Sequence, residues 1–398
     1  MRTDRAACVS VVATVAFLFL TCQAYPGEGD PVVDGKPLQD LLKQLRSENR
    51  GFQMRAAQSL SKAASNDYAK IVPQLIPLLK SERENDRFVA AQTLGEYGPV
   101  ARAAVPELLP LLEGTQYERN RAAASKALGQ ILKDATPSDE VEKVTQCLMK
   151  VFSDNYSDVR REAVKACGMI GPAAKSCIPS LPILFDDVKH HGKPVGGPSG
   201  AEMYMVHSAA AWTAGRMGPL SACHIDRMIS MLHGDSDIST TVVWAIGEIG
   251  PVNDNIVPNL MNRLEKTIYG QYEGFRVGAQ SYPVGDITEG TTQEYRDYCF
   301  KVLAKFGTKS AKAAPLMNRL LTEDGWNSGH RFRNSIGAMK VLRAVGPEAK
   351  EAIPALEKAA QLTKFDDRIP KERVEEFKKE AQAALAAVKG TAAGDAGK

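Results

Sequence analysis

An all-α superhelix of about eight two-helix repeats is the fold this sequence predicts, and three observations predict it. The first is self-similarity: the run A-A-x-x-L-G-x-x-G-P-x-A-x-x-A-V-P-x-L-x-x-L-L at residues 90–112 returns along the chain. Aligning its Leu94-Gly95 position gives anchors at Ser61, Gly95, Gly129, Gly168, Gly215, Gly247, Ala304 and Arg343, spaced 32 to 57 residues apart. Such periods belong to two-helix solenoid units, with two longer intervals that must hold insertions. The second observation is punctuation: a glycine follows most anchors by three residues and a proline follows that glycine by eight, in Gly98/Pro106, Gly171/Pro179, Gly250/Pro258, Gly307/Pro315 and Gly346/Pro354, with Asp226 after Gly218. The third is that apolar residues on both sides of these turns recur at helical spacing.

Each element of the unit has a physical reason. In the first helix, small pairs such as Ala90-Ala91, Ala123-Ala124 and Ala209-Ala210 let neighbouring helices approach closely. The glycine closes that helix in the left-handed conformation, and the proline fits the first turn of the second helix, where an N–H has no intrahelical partner. Leu, Ile and Met positions of the second helix face the core. Pro77 and Pro110 fall inside second helices and are expected to bend them.

Along the chain, residues 1–24 combine a short basic start, an apolar run over residues 6–20 and small residues before Tyr25, the pattern of a cleaved signal peptide. The run is short for a bilayer span. A retained anchor and lipid attachment at Cys22 are the alternatives, the latter disfavoured by the bulky Phe19-Leu20-Thr21 before it. Residues 25–35 read as an extended tether, 36–389 as the array, and 390–398 as a disordered tail. Residues 371–389 form a charged closing helix whose Val374, Phe377, Ala381, Ala384 and Val388 make one apolar stripe, as a terminal cap requires.

With these residues in view, the chain resembles the HEAT family over residues 36–388, in particular the bacterial HEAT-like repeats also found in phycobilisome lyases. The resemblance implies a HEAT-like solenoid and names no partner. Arg87, Arg121, Arg160 and Arg296 recur eight residues before their anchors, and the expected role is a bond from the first helix to the neighbouring repeat, with ligand binding as the alternative.

The whole chain carries +3, and loss of residues 1–24 leaves +2, a balance that argues against a nucleic-acid role. Cys167, Cys177 and Cys299 stand where the repeat uses small apolar residues, so core packing is the default. Cys167 and Cys177 flank the Gly171-Pro172 turn on two helices of one hairpin, and in an oxidising compartment a disulfide is the other reading. No cysteine has metal or haem spacing.

Two interruptions break the period. Residues 186–202 hold His190 and His191 in a Gly/Pro-rich loop, and residues 266–293 hold Tyr269, Tyr272, Phe275, Arg276 and Tyr282 among glycines. The aromatic segment either binds a partner or folds back over an edge of its own array. The paired histidines lack the further ligands a metal needs, although Asp186 and Asp187 lie near, and no metal or cofactor is expected. A third candidate is the exposed, concave side of the second helices, where Arg227, Arg263 and Arg319 stand with Asn262 and Asn318; they form either a stripe for an anionic partner or ordinary solvated positions.

The functional reading is a non-catalytic scaffold outside the cytoplasm that binds a protein or peptide through the concave face and the two loops. A structural or glycan-contacting envelope protein is the alternative, and a lyase-type enzyme a weaker one. The chain has no His-Glu pair, G-x-S-x-G, P-loop, H-E-x-x-H or dinucleotide fingerprint. No transmembrane segment is expected in the mature chain, and the oligomeric state is left open.

Overall fold

The structure, a computed structural model, describes residues 32–63, 67–185, 200–232, 239–269, 283–284, 287–288, 292–323 and 329–391. Eighteen helices run through the described residues in two layers. A leading helix, α1 (Leu38–Leu45), is followed by the first helices of the repeats, which carry even numbers: α2 (Arg50–Leu60), α4 (Glu84–Glu96), α6 (Glu118–Ile131), α8 (Ser157–Ile170), α10 (Gly200–Met217), α12 (Ser239–Ile249), α14 (Thr292–Lys305) and α16 (Gly329–Val345). Between them lie the second helices α3 (Tyr68–Leu75), α5 (Val105–Leu108), α7 (Asp139–Lys150), α9 (Pro182–Phe185), α11 (Ile225–Met231), α13 (Ile256–Tyr269), α15 (Ala314–Thr322) and α17 (Ile353–Ala360). The last helix, α18 (Lys371–Lys389), packs on α16 as a ninth first helix would, burying Phe377, Ala381, Ala384 and Val388. One hydrophobic core extends without interruption from Val33 to Val388.

The punctuation acts as the spacing predicts. Gly98, Gly171, Gly218, Gly250, Gly307 and Gly346 all have φ between 57° and 97°, the left-handed region open to glycine. Pro106, Pro315 and Pro354 stand in the first turn of α5, α15 and α17. Asp226, which replaces the proline after Gly218, lies in the first turn of α11, where a carboxylate faces the positive end of the helix dipole. Pro77 and Pro110 do more than bend their helices. The α-helix stops at Leu75 and Leu108, and each proline opens a short 3-10 turn, because its ring removes a donor and crowds the preceding carbonyl.

The recurring arginines stitch the repeats together. Arg87 donates to the carbonyls of Ser81 and Glu82 at 2.6 and 3.0 Å, and Arg160 to Asp154 O at 2.6 Å. Arg296 donates to Thr267 O, at the end of the preceding second helix. Arg121 reaches back to Gln116 O and forward to the Asp154 carboxylate at 2.7 and 3.0 Å, joining two consecutive inter-repeat loops. Each guanidinium thus bonds carbonyls of the loop or helix end that precedes its own helix.

Two segments read as irregular carry structure. Within residues 25–35, Val32–Val33 (β1) pairs antiparallel with Lys36–Pro37 (β2) around Asp34-Gly35, both at positive φ as a two-residue hairpin turn requires. Val33 is buried in the core, and Asp34 accepts from Ser59 Oγ at 3.0 Å, fixing the hairpin to α2. Within residues 266–293, α13 continues to Tyr269, and Pro283–Val284 (β3) pairs with Ile287–Thr288 (β4). Strand β3 lies against α10, so this insertion reaches back over an earlier repeat.

Candidate binding groove on the first-helix face

The anchor residue of each repeat controls how closely the next first helix can approach. At Gly95 a Cβ would sit 2.9 Å from Ala127 Cα, and at Gly129 2.5 Å from Ala166 Cα. At Gly168 and Gly215 it would meet the indoles of Trp212 and Trp244 at 2.4 Å, and at Gly247 it would meet Val302 at 2.6 Å. Real Cβ atoms do not approach this closely, so from α4 to α14 glycine is what lets the first helices close against one another.

The last two anchors are not glycine. Ala304 of α14 and Arg343 of α16 bring side chains to the place where the other seams are sealed, and both line a groove of about 610 Å³ that crosses α14, α16 and α18. Its floor is built of Ala304, Ile336, Gly337 and Ala344, with Phe300 beneath Gly337. Its rim carries Lys301, Arg333, Lys340, Arg343 and Arg373 among Glu294, Asp297 and Glu376. At the α14 edge the groove meets an aromatic ridge, in which Met169, Trp244 and Tyr298 pack around the buried Trp212.

The rim charges are unevenly matched. Arg333 bonds Asp297 at 2.6 Å, whereas Lys340 and Arg373 share Glu376 at 2.8 and 2.7 Å. The hydrogen bond from Lys340, with a weaker one from Arg373, holds the Glu376 carboxyl below its ordinary range. Arg343 lies 3.2 Å from Glu380, which is buried at 6% exposure, and burial pushes that carboxyl above its ordinary range. Lys301 is exposed and lies 5.3 Å from the centre of the Tyr298 ring, with no carboxylate partner among the described residues.

The residues singled out from the sequence do not assemble into one site. Arg227 is exposed on α11 and bonds Ser230. Arg263 was expected on the exposed stripe, but it is buried at 5% exposure under Tyr295 and Cys299 of α14. Its side chain points from α13 into the core between the layers, which removes it from any surface stripe. Arg319 is half exposed on α15, ion-paired to Glu265 at 2.7 Å and Glu323 at 2.8 Å, with its guanidinium 4.0 Å from the centre of the Tyr269 ring. Burial raises the Tyr269 hydroxyl above its ordinary value. His190, His191, Tyr272, Phe275, Arg276 and Tyr282 lie outside the described residues. The two hairpin thiols, Cys167 and Cys177, are free and buried. A hydrogen bond to Cys177, together with burial, holds the Cys167 thiol well above its ordinary value. Among the described residues no cluster of His, Cys, Asp or Glu could hold a metal ion, and no helix is long and apolar enough to cross a membrane.

The groove lies on the first helices, away from the second-helix stripe and the interruptions that the sequence singles out; the one mark it leaves in the sequence is that the consecutive anchors Ala304 and Arg343 are not glycine.

Stacked helix pairs around one continuous core define an α-solenoid with a groove on its first-helix face. Residues 38–129 match the family model described as HEAT repeats. No curated protein matches the chain. Among solved structures, the chain is similar to an engineered protein, with a TM-score of 0.52 and 18% identity over 89% of each chain. It is also similar to Kap121p bound to Ste12p, with a TM-score of 0.60 and 15% identity over 88% of this chain and 39% of that one. A third likeness is to the karyopherin Kap121p bound to the extreme C-terminus of the protein phosphatase Cdc14p, at a TM-score of 0.55 and 15% identity over 88% of this chain and 41% of that one. The chain therefore spans well under half the length of the karyopherin chains, and at these identities the likeness is one of fold.

Proposed function

We propose that this protein is a non-catalytic scaffold that binds a protein or peptide partner, and that it works outside the cytoplasm. The observation that carries the reading is the groove across α14, α16 and α18, about 610 Å³ in volume, with a small apolar floor and a polar rim. That combination suits a bound segment: the floor accepts side chains and the rim fixes orientation. Solenoids add contact area repeat by repeat without requiring a reaction centre. Kap121p, of similar fold, is bound to Ste12p in one structure and to the extreme C-terminus of Cdc14p in another, which supports the class of function and leaves the partner open. The extracytoplasmic setting is supported by the leader-like pattern of residues 1–24.

The test is affinity capture from fractionated source cells with the full chain and with a variant in which residues 270–282 are replaced by a Gly/Ser linker. A specific protein retained by the full chain supports the scaffold; loss of that protein with the variant assigns the contact to the insertion. No protein with either form overturns the reading. N-terminal sequencing of the mature chain tests the setting, with Tyr25 as the expected first residue and an intact Met1 as the contrary result.

A further inference from the structure

We propose that the groove across α14, α16 and α18 takes an extended acidic peptide segment of the partner. This rests on the scaffold reading and adds the chemistry of what is bound.

The charge pattern comes first. Five cations and three carboxylates line the groove. Two of the cations, Lys340 and Arg373, divide the single carboxylate of Glu376, and Lys301 has only the Tyr298 ring. Arg343 lies 3.2 Å from the buried Glu380, which also lies near Lys340, so one carboxylate stands beside two of the groove's cations. The groove therefore presents more positive charge than its own acids neutralise, and it concentrates that charge where helix walls limit water.

Spacing then selects the ligand. Packed helices stand about 8–10 Å apart, so cations on α14, α16 and α18 recur at about that interval across the groove. An extended peptide advances about 3.3 Å per residue, which places a carboxylate at roughly every third residue opposite each helix. The residues between can lay small or aliphatic side chains on Ala304, Gly337 and Ala344. A nucleic-acid strand fits worse. It carries a phosphate at every nucleotide with no neutral positions between them, and some would face Asp297 and Glu376.

The experiment uses the full chain and a fluorescently labelled peptide with glutamate at every third position and leucine or alanine between. A lysine-for-glutamate peptide and a single-stranded oligonucleotide serve as comparisons. We expect the acidic peptide to bind more tightly than either, to weaken as salt is raised, and to lose about tenfold in affinity in Lys301→Glu. Lys301 pairs with no carboxylate among the described residues, so its reversal should leave the melting temperature unchanged. Hydrogen exchange on the unaltered chain should show peptide protection on α14, α16 and α18.

The proposal is overturned by any of four results: no acidic-peptide binding up to about 1 mM, equal or tighter binding of the basic peptide or the oligonucleotide, unchanged affinity in a folded Lys301→Glu, or protection confined to the second helices. If the capture experiment still retains a specific protein, only the groove assignment falls; if it retains none, the scaffold reading falls with it.

Discussion

The ring of Phe300 packs against Gly337, so close that a Cβ there would sit 2.4 Å from Phe300 Cδ2. This contact joins α14 and α16 beside the groove that Ala304 and Arg343 line. The same close approach recurs where Gly95, Gly129, Gly168, Gly215 and Gly247 meet the next first helix.

Gly337→Ala is expected to destabilise the chain by about 1–3 kcal/mol, because the buried Phe300 ring must shift within a packed core. Gly168→Ala, which meets the Trp212 indole, should behave alike. Urea denaturation of the two variants provides the measurement, and wild-type midpoints would show that the seams are loose.

Ala304→Trp should have the opposite profile. The residue is half buried and faces the groove, so an indole there occupies the floor without entering the core. We expect near-native thermal stability and loss of acidic-peptide binding in the anisotropy assay.

Arg121 and Asp154 are 7% and 8% exposed and bridge two inter-repeat loops. Removing one partner leaves a buried charge, so Arg121→Ala is expected to cost about 3–5 kcal/mol. Arg121→Lys should recover little of this, since an ammonium cannot bond both carboxylate oxygens and Gln116 O with the same fork. Thermal melts of the three proteins test both statements.

Glu376 and Glu380 should give stability profiles of opposite slope. The Glu376 pKa is depressed, so its contribution is present above the ordinary glutamate range and is lost as pH falls through that range and below it. The Glu380 pKa is raised, so its contribution is present at acid pH and is lost as pH rises upward from the ordinary range. Glu376→Gln should therefore flatten the acid side of the curve and Glu380→Gln the side toward neutrality, as read by denaturation midpoints across pH.

Among the described cysteines, Cys223 is exposed, Cys147 half buried, and Cys167, Cys177 and Cys299 buried, with burial pushing the Cys299 thiol up to about 12. Alkylation of the native chain followed by peptide mass mapping should label Cys223 first and the three buried thiols only on unfolding. Early labelling of Cys167 or Cys177 would contradict the packing of that hairpin.

Much of this was legible in the chain. The turn glycines could be placed because a left-handed residue after an apolar helix has one common solution, and the arginines because a charged side chain at a fixed place in four of the units meets the loop or helix end before its own helix each time. Arg263 was not legible. Helical spacing gives the angle between residues on one helix but not how far the opposing layer wraps round it, and α14 covers Arg263 with Tyr295 and Cys299.

The sequence by itself determined the repeat, its two-helix unit, the turns and the closing helix, because each follows from interactions within a few residues. Only the tertiary structure decided which residues meet across the seams and where a groove lies. That outcome depends on the fit between residues a full repeat apart, such as Gly168 with Trp212 and Gly337 with Phe300, and on which side chains, Ala304 and Arg343 among them, line the space that is left.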